Sequence, residues 1–78
     1  MKQNDFKQYS DYKLYLIRKN LILHKFSSDE IPESIKSYVN DSKIVVGSSH
    51  TRAMRCVSLI DNEIVSRFVN NMVVHDNM

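Results

Sequence analysis

The sequence is poor in the residues that interrupt, staple or anchor a chain. There is one glycine, Gly47, and one proline, Pro32. So few breakers argue against linkers, low complexity or extended disorder. One cysteine, Cys56, excludes any disulfide within the chain and suits a reducing compartment. Tryptophan is absent and no sign of charge dominates, the formal balance being +2. That balance permits an anionic partner without demanding one. The longest apolar runs are short, such as Leu14 to Ile17 and Leu21 to Leu23. A spanning helix needs about 20 apolar residues, so no membrane partner is expected. The opening Met1-Lys2-Gln3-Asn4-Asp5-Phe6-Lys7 lacks the apolar stretch of a signal peptide. A cytoplasmic location is expected.

What remains is a 78-residue chain, 42% apolar. That is the size of one small domain over 1–78, with a core that supplies only about 3–5 kcal/mol unaided. A partner subunit is a common remedy, and a homo-oligomer is one form of it. Residues 1–10 are polar apart from Phe6 and Tyr9, with Asn4 or Asp5 able to cap a short turn. They read as a flexible N-terminal arm.

Residues 12–26 place apolar runs on both sides of Arg18-Lys19-Asn20. Asn tolerates the left-handed conformation of a tight turn, so a hairpin with strands near 12–17 and 21–26 is expected. One long helix is the rival. Leu14, Tyr15, Leu16, Ile22 and Leu23 scatter around its wheel, whereas a surface helix keeps one stripe. Over 27–40 the pattern changes. Ser27 and Glu30 stand at capping-box spacing and Pro32 falls in the first turn. Ile31, Ile35, Tyr38 and Val39 then share one helical face.

Lys43 to Gly47 reads as a short strand, and residues 48–51 as a polar loop. Ala53 to Ile60 and Ile64 to Val69 flank Asp61-Asn62-Glu63 and read as a second hairpin. A helical face of Ile64, Val65, Phe68, Val69 and Met72 is the alternative. Residues 72–75 are read as a last strand and 76–78 as frayed. The two hairpins echo each other at an offset of 43, with Leu14 on Val57 and Ile17 on Ile60. The expected fold is therefore α+β: four to five mostly antiparallel strands, ordered hairpin, helix, strand, hairpin, with one helix on one face. In that register both faces of the second hairpin are largely apolar. A single helix covers only one of them, so either other segments fold over the second face or it meets another chain.

Chemical sites are few. His24, His50 and His75 lack ligand spacing, so no metal or other cofactor is expected. Cys56 sits among Met54, Val57 and Ile60 and reads as a small buried hydrophobe rather than a nucleophile for His50. Gly47 to Arg52 is a polar loop with no Walker lysine, though its N–H groups and Arg52 could meet an anion. Lys43, His50, Arg52, Arg55 and Arg67 would cluster if strands 43–47 and 53–70 were neighbours. They are the candidate residues for binding a partner or an anion. Tyr9, Tyr12 and Tyr15 alternate with lysines as bases-stacking residues do, but in a strand Tyr12 and Tyr15 face opposite ways.

No family motif is present. As a class, the brevity, lone cysteine, mild basicity and AT-rich residue usage resemble small phage proteins, some of which block host enzymes, as anti-restriction and anti-CRISPR proteins do. The resemblance implies a phage or mobile-element inhibitor acting in the host cytoplasm. The expected function is a non-enzymatic protein-interaction module whose partner is another protein, a nucleic-acid-handling enzyme being one candidate. The alternative is a nucleic-acid-binding domain that meets phosphates through Lys43, Arg52, Arg55 and Arg67.

Overall fold

The computed structural model describes residues 3–41 and 48–76, with side chains over 5–41 and 48–72. Among them there is no strand. A 3-10 turn at Gln3–Phe6 leads to three helices, α1 (Asp11–Ile22), α2 (Glu33–Asn40) and α3 (Ser49–Asp76). The α+β expectation is overturned. Both hairpins are helices, and the backbone read as a last strand at 72–75 is the end of α3. The strand at 43–47 and the last residues, 77–78, lie outside the described residues.

Local chemistry explains the helix ends. Ser10 caps α1, its Oγ accepting from the Lys13 N–H at 3.1 Å, and Asp11 complements the positive end of the dipole. The helix runs through Arg18-Lys19-Asn20 rather than turning there. It stops at His24, whose φ of 59° is left-handed. There the Lys25 N–H donates to the Asn20 carbonyl and the His24 N–H to that of Leu21. This is a Schellman closure with histidine where glycine is usual.

The helix anticipated over the Ile31–Val39 face is present as α2. Pro32 is its cap residue, and the box between Ser27 and Glu30 does not form; Ser28 Oγ accepts from the Glu30 N–H instead. Ser48 starts α3, its Oγ accepting from the Thr51 N–H.

The core explains why the hairpin reading fails. Leu14, Ile17 and Leu21 are buried on α1, at i, i+3 and i+7. On α3 the buried apolar residues, among those described, are Ala53, Cys56, Val57 and Ile60, at i, i+3, i+4 and i+7. Each set is a proper helical stripe. Exposed Tyr12, Tyr15, Ile22 and Leu23 blurred the first in the sequence. The echo at an offset of 43 is the shared stripe of two packed helices. The supposed turns are also partners: Arg18 Nε donates to Asp61 Oδ1 at 2.7 Å. Ile31, Ile35 and Val39 complete the core with Phe6, which carries residues 3–9 onto it.

At 28 residues α3 is about 42 Å long. It packs against α1, α2 and the 3-10 turn. The molecule measures 50 × 23 × 18 Å, so α3 outreaches the body it supports.

Candidate functional site

Of the five candidate residues, Lys43 lies outside the described residues. The other four stand on α3 rather than across neighbouring strands. Arg52 and Arg67 are 15 residues apart, about 22 Å along the axis. The structure brings only neighbours on the helix together, not the set.

Arg52 is 4% exposed. Its Nε donates to the Tyr38 carbonyl at 3.0 Å, and its Nη2 to those of Val39 at 2.9 Å and Asp41 at 3.2 Å. The last carbonyls of a helix have no partner within it. Arg52 supplies that partner for α2 and sets a cation at the negative end of its dipole. The side chain read as an anion ligand closes a helix.

Arg67 is a clamp on the N-terminal segment. Its Nε donates to Glu63 Oε2 at 2.8 Å and its Nη1 to Asp11 Oδ1 at 2.5 Å. Its Nη2 reaches the carbonyls of Tyr9 at 2.6 Å and of Phe6 and Lys7 at 3.4 Å. The two carboxylates raise the guanidinium's already high affinity for its proton, the Glu63 hydrogen bond most. Glu63 itself is 4% exposed, and its Oε1 is buried without a hydrogen-bond partner. Arg55 is exposed, and among the described residues it reaches only the Tyr38 hydroxyl, at 3.5 Å.

His50 Nδ1 lies 3.0 Å from His24 Nε2, with the rings edge to face. This contact ties the end of α1 to the start of α3. Among the described residues no group of three metal-ligating side chains forms. Cys56 is buried, and burial pushes its thiol from 9.0 up to about 11. A thiol so placed is a poor nucleophile. None of the described helices is long and apolar enough to cross a membrane.

Where the arginines make no shared surface, apolar side chains stand exposed. Ile64, Val65, Phe68, Val69 and Met72 are all exposed on the outer half of α3, Phe68 by 64%. On α1, Tyr12 and Tyr15 stack at 6.3 Å and stand out with Ile22 and Leu23. The helical spacing puts both tyrosines on neighbouring faces, where a strand would oppose them.

The two sets join. Arg18 pairs with Asp61 and Asp11 with Arg67, so α1 and α3 run antiparallel. Tyr15 and Ile22 lie one turn either side of Arg18; Ile64 and Phe68 lie one and two turns beyond Asp61. All four flank the same seam. Shallow grooves of about 290 Å³ and 250 Å³ open along it, one beside Ile64 and Phe68, the other beside Tyr15 and Ile22. The spacing of Val65, Phe68, Val69 and Met72 was legible as a helical alternative; the α1 half was not. Compared with known protein families, curated proteins and solved structures, the chain matches none, and the comparisons lend no support to a phage origin or an inhibitor role.

Proposed function

We propose that this chain is a non-enzymatic protein-docking module that binds through the apolar seam of α1 and the outer half of α3. One observation carries the reading: five large apolar side chains lie exposed in succession on α3 between Ile64 and Met72. Single exposed apolar residues are ordinary, but a contiguous patch flanked by polar groups marks an interaction site. The occupant is a protein surface of matching apolar character. We place its action in the cytoplasm, where a lone thiol such as Cys56 stays reduced.

The phosphate-binding alternative has less behind it. Arg52 and Arg67 would have to release the backbone carbonyls they hold. Labelled duplex DNA and RNA test it directly at low salt. Binding that falls steeply as salt rises would replace the docking reading with the phosphate one. The docking face is tested with an anilinonaphthalene sulfonate dye at sub-micromolar protein. The expected result is a fluorescence gain that Val65→Glu with Phe68→Glu abolishes while the helical circular dichroism stays. A gain unchanged by those substitutions overturns the reading.

A further inference from the structure

Resting on that docking reading, we infer that the occupant of the seam is a second copy of this chain, paired antiparallel through the outer halves of α3. The first argument is spacing. Val65, Phe68, Val69 and Met72 stand at steps of three, one and three. The order is the same read from either end. A two-fold axis between Phe68 and Val69 therefore sets Val65 of one copy against Met72 of the other, and Phe68 against Val69. That is the self-complementarity an isologous interface needs.

The second argument is charge. Arg67 is the only charged residue from Ile64 to Met72, and it is engaged by Glu63 and Asp11. Ser66, Asn70 and Asn71 are the stripe's polar neighbours. Two copies thus approach without like charges meeting at the contact, which is the usual barrier to self-association. A net charge of +2 adds little repulsion between whole molecules.

The third argument is area. Seven of these side chains, Tyr15, Ile22, Ile64, Val65, Phe68, Val69 and Met72, are exposed by 39–64%. With aromatic side chains of roughly 150–250 Å² and aliphatic ones somewhat smaller, they offer on the order of 600 Å². A standard interface takes about 800 Å² from each partner, so the stripe's polar neighbours supply the remainder as a rim. The antiparallel pairing also uses the α1 half of the seam. Past Val65 the second copy's α3 continues toward Ile64 and the groove beside Tyr15 and Ile22. Among the described side chains, Arg67 is the last on α3 with a hydrogen bond to the body, and the turns after it gain packing from this pairing.

Sedimentation equilibrium from sub-micromolar to several hundred micromolar protein tests the inference. The expected mass rises from 9.2 kDa to twice that value, and the dye signal falls as the mass rises. Phe68→Glu holds the chain at 9.2 kDa with its circular dichroism intact. Mixed Val65→Cys and Met72→Cys chains, in a Cys56→Ala background, form a disulfide between unlike chains. Val65→Cys chains that link only to each other overturn the antiparallel register. A chain that stays monomeric but keeps its Phe68-dependent dye signal overturns self-association and leaves the docking face standing. A monomer with no such signal overturns both.

Discussion

The inner and outer halves of α3 carry similar side chains and differ in what lies against them. From Ala53 to Ile60 the apolar residues are in the core, touched by α1, α2 and the 3-10 turn. From Ile64 to Met72 the apolar residues are exposed. Glu63 and Arg67 stand at the border, where the described side chains of the helix make their last ties to the body. A helix needs an amphipathic face packed on something to be stable in water. The inner half has that within the fold. The outer half has the face and the seam beside α1, and on the proposed reading its partner comes from outside.

The sharpest way to break this contrast is to cut the same kind of side chain from both halves. Ile60→Ala leaves a cavity in the core, and chemical denaturation is expected to show a loss of about 2–5 kcal/mol. Phe68→Ala is expected to change the stability of the dilute chain by less than about 0.5 kcal/mol. A large loss at Phe68 in dilute solution would mean that the outer half is packed after all.

Next in size is Arg52→Ala. It leaves the carbonyls of Tyr38, Val39 and Asp41 without their donor. A buried polar group left unpaired costs about 1–3 kcal/mol, and three share this donor, so the expected loss lies at the upper end. Arg52→Lys recovers only part, because an ammonium lacks the planar fork. No recovery in Lys would show that the charge contributes nothing without the fork; full recovery would show that charge alone suffices.

Alkaline titration sharpens the contrast through Cys56. Its folded thiol titrates near 11 and its unfolded thiol near 9.0. Between those values the unfolded chain loses a proton that the folded chain keeps. Stability from this group is therefore full below pH 9 and falls by about 2 kcal/mol as pH rises to 11. Denaturation midpoints across that range, compared between the wild type and Cys56→Ala, read it. A slope that survives in Cys56→Ala belongs to other groups.

The smallest effect expected is at the seam itself. Arg18 and Asp61 are both nearly half exposed, so a double-mutant cycle is expected to give about 0.2–1 kcal/mol. The pair sets the register of α1 on α3 more than it holds them together. A coupling well above 1 kcal/mol would make it a true strut of the fold.

Some of this was legible in the residues. Ile31, Ile35, Tyr38 and Val39 mark α2 because its outward positions are polar, so the apolar period stands clear. Cys56 among apolar neighbours reads as core and lies in it. The outer stripe of α3 was visible as a spacing. For α1 and α3 the period was hidden, because Tyr12, Tyr15, Val65 and Phe68 put apolar side chains where an isolated helix shows polar ones. Arg18-Lys19-Asn20 and Asp61-Asn62-Glu63 looked like turns because turns and exposed helix flanks draw on the same residues.

The sequence by itself determined a short chain without disulfides, one clear helix, and more apolar surface than a single small core can take in. Only the tertiary structure decided which apolar residues the core takes and which it leaves exposed. The reason is physical. Burial, and the choice of partner for Arg52, Arg67 and Asp61, depend on residues 11 to 61 positions away in the chain. A local pattern carries no record of contacts at that distance.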